Sequence, residues 1–181
     1  MAVETYMNPM ERLEATIGYT FSDKKLLRQA MTHSSHSNET GDKNHHLLCN
    51  ERLEFLGDSV LSIAVSRYLY TTYPQEGEGV LTNMRKDVVC AEALARYARR
   101  IGIGDCLYLG NGEELSGGRD KENILADAFE ALLAAIYLDG GMEEAKNFIL
   151  PFLKRESEKT IKTEGTSDYK TALQEIIQKN K

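Results

Sequence analysis

A chain of 181 residues with 41% hydrophobic side chains can bury one sizeable core, and reads as one compact domain with room for an appendage. Its 28 acidic against 22 basic residues leave a net charge of −6, which argues against a passive nucleic-acid binder working through a basic face. Three widely spaced cysteines, Cys49, Cys90 and Cys106, form no Cys-x-x-Cys pair and fit reduced thiols in a cytoplasmic protein, while neither a signal peptide nor a membrane-spanning apolar run is expected.

In chain order, apolar periodicity predicts short helices over 11–17 and 23–31, the second started by Ser22 as its N-cap. Residues 33–44, rich in Ser, Asn, Thr and Gly, read as a loop. One long helix is predicted over 47–72, stopping before Pro74. The next starts at Thr82 or a neighbour and carries Met84, Val88, Leu94 and Tyr97 on its apolar side as far as about Arg100. Residues 102–118 are glycine-rich and poorly periodic, a loop with one helical turn around 106–109. A second long helix covers 119–138, Gly140-Gly141 ends it, and a last helix begins near Met142 with a kink at Pro151. No strand pattern or internal repeat is found. The expected fold is all-α.

Two of these helices carry unusual acids. In the string NERLEFLGDSVL at 50–61, Glu51, Glu54 and Asp58 recur at i, i+3 and i+7. On a helix they fall within about 60° of arc, with Leu53, Leu56, Val60 and Ile63 expected on the opposite side. Exposed acids on a helix face are ordinary, so this stripe alone has a bland reading as a solvated surface. The segment ILADAFEALLAAIYL at 124–138 is different, because its only charges are Asp127 and Glu130. A helix apolar on nearly all sides is a buried helix. Two carboxylates buried there need a neutralising cation, and a metal ion would serve. A solvent-facing sliver or a salt bridge from elsewhere is the alternative. Together Glu54, Asp58, Asp127 and Glu130 make an all-oxygen ligand set that suits Mg²⁺, with Mn²⁺ as substitute, better than zinc. Neither acidic helix contains the Glu-x-x-His pattern of di-iron bundles. His45, His46 and Cys49 lie close in sequence but lack a second ligand pair, so a zinc site is not expected.

The string at 50–61 resembles the signature of the ribonuclease III family almost letter for letter. The resemblance extends to IGYTF at 17–21, Leu26-Leu27, AMTHSS at 30–35, EGVLT at 78–82, SGGR at 116–119 running into ILAD, and YLDGG at 137–141. It implies a ribonuclease III endonuclease domain over 1–156 and a linker over 157–167. Residues 168–181, with DYKTALQEIIQ, resemble the first helix of a double-stranded RNA-binding domain that the chain begins and does not complete; an unrelated tail helix is the alternative. Val80 stands where the family often has an acidic or polar residue, a position that varies.

What the resemblance implies is an enzyme cleaving both strands of double-stranded RNA to 5′-phosphate and 3′-hydroxyl ends. The family acts in RNA processing, including rRNA precursors and mRNA, in the cytoplasm. Asp58 and Glu130 would be the catalytic pair and Glu54, Asp58, Asp127 and Glu130 the metal ligands, with Glu51 and Glu78 as further acids of the catalytic valley. A solvated surface acid is the other reading for Glu78. Phe55, between the acids and the apolar stripe, would pack into a pocket of the partner in a homodimer; core packing is the alternative. Arg85, Lys86, Arg119 and Lys121 are candidate RNA contacts, and His33 to Ser35 could touch riboses or hold the N-terminal fold. The chemistry is consistent with the residues, since in-line attack on a phosphodiester builds negative charge that a carboxylate-held cation offsets. No Ser–His or Cys–His nucleophile stands at suggestive spacing. The competing readings are a module that binds double-stranded RNA or a ribonucleoprotein without cutting it, and a phosphohydrolase of small molecules. The retained acids oppose the first, and the lack of a nucleotide-gripping glycine loop opposes the second.

Overall fold

A computed structural model describes the backbone of residues 7–41 and 43–179 and the side chains as far as 155, and the expected linker and tail helix at 157–181 lie outside the residues whose side chains are described. Helix α1 (Pro9–Ile17) begins earlier than periodicity suggests, because Asn8 and Glu11 form a capping box with bonds of 2.9 and 3.0 Å. It ends at Gly18, whose φ of 68° favours glycine. Helix α2 (Lys24–Ala30) is capped by Asp23, not Ser22: the Asp23 carboxylate accepts from the Lys25 N–H at 2.9 Å.

The expected loop at 33–44 contains a helix, α3 (Ser34–Glu39). His33 starts it, its Nδ1 accepting from the Ser35 N–H at 3.2 Å, so a histidine replaces the usual capping side chains. The predicted helix over 47–72 is two helices, α4 (His45–Leu48) and α5 (Glu51–Thr72). Cys49 is extended, and the Asn50 N–H bonds the Thr32 carbonyl at 2.8 Å in place of a helical partner. Helix α6 (Glu78–Val89) starts just after Gly77, ahead of Thr82, and extended Cys90 separates it from α7 (Ala91–Ile101). The glycine-rich segment holds α8 (Ile103–Cys106), α9 (Asn111–Leu115) and a 3₁₀ turn at Gly118–Asp120. Helix α10 (Glu122–Lys179) changes direction at Gly141 (φ 84°) and carries Pro151 within it.

Among the described residues no strand forms; a single parallel bridge joins Thr32 to Tyr108. No described helix is long and apolar enough to cross a membrane. The first half of α10 runs through the centre, with Ala128, Phe129, Ala131, Leu132, Leu133, Ala134, Ala135 and Ile136 all fully buried. Helices α5 and α7 lie along it. Beside them Tyr97, Phe129, Phe148 and Phe152 form an aromatic cluster with ring centroids 5.0 to 5.7 Å apart. Each such ring stabilises the core by about 1.5–3 kcal/mol relative to exposure. The N-terminal helices are tied to this core by Asp139, which accepts from the Tyr19 hydroxyl (2.7 Å) and the Ser22 and Asp23 N–H groups (2.8 and 2.9 Å). On α5 the buried stripe is Leu53, Gly57, Val60, Leu61, Ala64, Val65 and Leu69, whereas Ile63, expected to pack, is 57% exposed.

Candidate metal centre

The acids meet where α5 crosses α10. A Cβ on Gly57 would collide with the backbone carbonyl of Glu130, so only glycine lets the two helix backbones approach this closely. Glu54, one turn before Gly57, is thereby set against Asp127 and Glu130. One carboxylate oxygen from each of these three residues lies within 4.8 Å of the others, and all three side chains are half-buried.

Their electrostatics show an uncompensated site. Burial pushes the Glu130 carboxyl up to about 8, and the charges of Asp58, Glu54 and Asp127 push the same way. Burial also raises Glu54, helped by Asp127, Glu51 and Asp58. Asp127 is raised by burial and by Glu51, and the His33 charge opposes that shift. Among the described residues no ion pair involves Glu54, Asp127 or Glu130, which removes the salt-bridge alternative. Hard oxygen donors lacking a cation fit a divalent ion such as Mg²⁺ or Mn²⁺. The arrangement could hold one.

The sequence profile of ribonuclease-III-like domains matches residues 23–156. The chain belongs to the ribonuclease III family. It is 52% identical to Ribonuclease 3 of Caldanaerobacter subterraneus subsp. tengcongensis over 166 residues, covering 92% of this chain and 72% of that relative. Against Ribonuclease 3 of Clostridium perfringens the identity is 45% over 168 residues, with 93% and 69% covered. The nuclease domain of ribonuclease III from Campylobacter jejuni superposes with a TM-score of 0.73 at 38% identity, covering 81% of this chain and 97% of that one. The protein is accordingly a ribonuclease III-type endoribonuclease, a hydrolase of phosphodiester bonds.

Within this family fold the remaining expected residues divide. Asp58 is exposed and stands outside the three clustered carboxylates, although its charge is the foremost of those acting on Glu130. Glu51 is exposed and acts on Glu54 and Asp127 through its charge. Glu78 lies on the first turn of α6, accepts from the Thr82 hydroxyl at 2.8 Å, and is not among the charges shifting the cluster. Phe55 is 78% exposed on the outer side of α5, so core packing within one chain is not its role.

Two expected RNA contacts are engaged inside the fold. The Arg119 guanidinium bonds both Glu114 oxygens at 2.7 Å and the Gly104 and Leu107 carbonyls at 2.8 and 2.9 Å. Lys121 bonds Glu113 at 2.6 Å and Ser116 at 2.8 Å. Arg85 is exposed and reaches the Ser66 hydroxyl at 3.3 Å, and Lys86 is exposed. In the sequence His33 stays undecided, and Gly57 is part of the signature string without a role of its own. For His33 the signal lay only in tertiary proximity to Asp127; for Gly57 it lay one turn after Glu54, in the signature itself.

Proposed function

We propose that this endoribonuclease cuts both strands of double-stranded RNA in a Mg²⁺-dependent reaction, with Mn²⁺ as substitute, leaving 5′-phosphate and 3′-hydroxyl ends. The observation that supports it most is the convergence of Glu54, Asp127 and Glu130 with no lysine or arginine partner among the described residues. A bound Mg²⁺ would supply charge stabilisation at the phosphate oxygens and activation of the attacking water. The chain's own part is to hold and orient. Glu54, Asp127 and Glu130 would hold the ion from two helices packed closely at Gly57, which places these ligands before substrate arrives. Asp58, exposed and acting on Glu130 through its charge, would complete the ligand set, and these two would be the pair on which the chemical step most depends. Glu51 and Glu78 line the approach as further acids.

Two such sites in a homodimer would address the two strands. The Campylobacter jejuni nuclease domain has a region involved in dimer formation. Here exposed Phe55 is the anchor for that contact. Recognition of the duplex would rest on its A-form shape and backbone more than on base sequence. Arg85 and Lys86 remain as phosphate contacts, while Arg119 and Lys121 would have to surrender internal partners first. The domain division at 156 and 167, and a role in cytoplasmic maturation of rRNA precursors and mRNA, complete the reading.

The test is direct. The protein is incubated with a long RNA duplex in Mg²⁺, in Mn²⁺ and in chelator, and in parallel with nucleoside triphosphates. Cleavage of the duplex alone, only with a divalent ion, and with 5′-phosphate ends, is the expected result. Hydrolysis of the triphosphates instead, or duplex binding with no cleavage under any of these conditions, would overturn it.

A further inference from the structure

Asn50 is the residue just before α5, a position where asparagine usually caps the helix by accepting a backbone N–H. Here its side chain makes no such bond. It is 3% exposed, and its Nδ2 is the one buried side-chain nitrogen or oxygen among the described residues without a hydrogen-bond partner. Leaving a buried donor unpaired costs about 1–3 kcal/mol. The backbone of Asn50 is fully used, its N–H on the Thr32 carbonyl and its carbonyl on the Glu54 N–H, both at 2.8 Å. Neither bond needs the amide side chain.

Its backbone angles are helical (φ −80°, ψ −14°), so the helical repeat applies to it. Asn50, Glu54, Gly57 and Leu61 then form one stripe at spacings of 4, 3 and 4 residues. Gly57 abuts Glu130, and Leu61 is 1% exposed, which sets this stripe against α10. Side chains at i and i+4 are neighbours on a helix, with Cβ atoms about 5–6 Å apart. The Glu54 carboxylate is half-buried and has no hydrogen-bond donor among the described residues. An unpaired buried donor therefore stands one turn from an unpaired half-buried acceptor.

We propose that Asn50 is a positioning residue of the metal centre, its Nδ2–H donating to one carboxylate oxygen of Glu54 while the other oxygen faces the ion. Occupancy of the centre closes this bond and satisfies both groups. Ligating carboxylates are commonly held in this way by an outer hydrogen bond, whose loss weakens metal affinity about 10- to 100-fold. The inference rests on the metal-centre reading above and adds a residue to it.

The experiment is a calorimetric titration of Mn²⁺ and Mg²⁺ into the RNA-free protein, with thermal melting of the metal-free form. It compares the parent with Asn50→Leu, which keeps the volume, and with Asn50→Ala. Both variants should bind Mn²⁺ about 10- to 100-fold more weakly. The metal-free Asn50→Leu protein should melt no lower than the parent, because the orphan donor is gone. In a Glu54→Gln background the Asn50 substitution should change affinity far less, since the two residues act as one unit. A residue of merely structural use would lower the metal-free melting point and show no such coupling. Unchanged Mn²⁺ affinity in a folded variant, or an equal loss in both backgrounds, overturns the role of Asn50. If Asn50→Leu does not fold, the Ala pair carries the same comparison. A parent that takes up no Mn²⁺ sinks the metal reading as well, which separates the two failures.

Discussion

Glu130 concentrates the physics of this site in one carboxyl group. Below its ordinary value of 4.5 it is protonated in the folded and unfolded chains alike. Between that value and about 8 the unfolded chain ionises it while the metal-free folded chain keeps the proton. Folded-state stability therefore falls as pH rises through this window. Melting temperatures of the metal-free protein across this range should decline, and Glu130→Gln should flatten the decline. A profile identical to the parent's would show that Glu130 is not the group responsible. With RNA present, Glu130→Gln and Asp58→Asn keep the shape and remove the charge. Each should abolish cleavage in Mg²⁺ while leaving the fold and duplex binding largely intact. Near-parental cleavage by either variant would show that the site is assigned to the wrong acids.

At the scale of elements, the contact between α5 and α10 decides whether there is a site at all. Gly57→Ala places a methyl group against the Glu130 carbonyl, a backbone atom that cannot rotate away. The helices must separate, at an expected cost of about 1–3 kcal/mol, and Glu54 must move off Asp127 and Glu130. Urea unfolding and Mn²⁺ titration should both register the change. Unaltered stability and affinity would contradict the close crossing. The break between α4 and α5 belongs to the same scale. A continuous helix is the natural reading of the local pattern, yet the Thr32 carbonyl captures the Asn50 N–H and resets where α5 begins.

For the whole molecule, the proposed reading asks how an acidic chain would hold RNA and cut two strands. With a net charge of −6 and two of four candidate cations tied internally, its grip on phosphates should be weak. Binding to an RNA duplex should fall steeply as salt is raised, as counterions compete for the phosphates. A salt series showing flat affinity would point to contacts of another kind. Assembly is tested through Phe55, 78% exposed in a single chain. A buried aromatic anchor dominates many interfaces, so Phe55→Ala should shift the protein toward monomer in sedimentation at low micromolar concentration. A parent chain that sediments as a monomer there would end the two-site cleft reading.

What was legible in the sequence was what is written locally. Apolar periodicity carried the all-α class, Gly140-Gly141 marked a helix end, and an almost uncharged stretch at 124–138 marked Asp127 and Glu130 as acids drawn toward the core. Periodicity has no access to partners far along the chain. Hence α3 was hidden, because a histidine cap and side-chain hydroxyls stabilise it, not an apolar stripe. Ile63 was assigned to the wrong side because the buried stripe of α5 is set by where α10 lies. Arg119 and Lys121 looked free because Glu114 and Glu113 reach them only after the turns around them have formed. The four acids were readable as one ligand set, but which of them share a single centre was not. Only the close crossing at Gly57 brought Glu54, Asp127 and Glu130 within one ion's reach and left Asp58 at the rim.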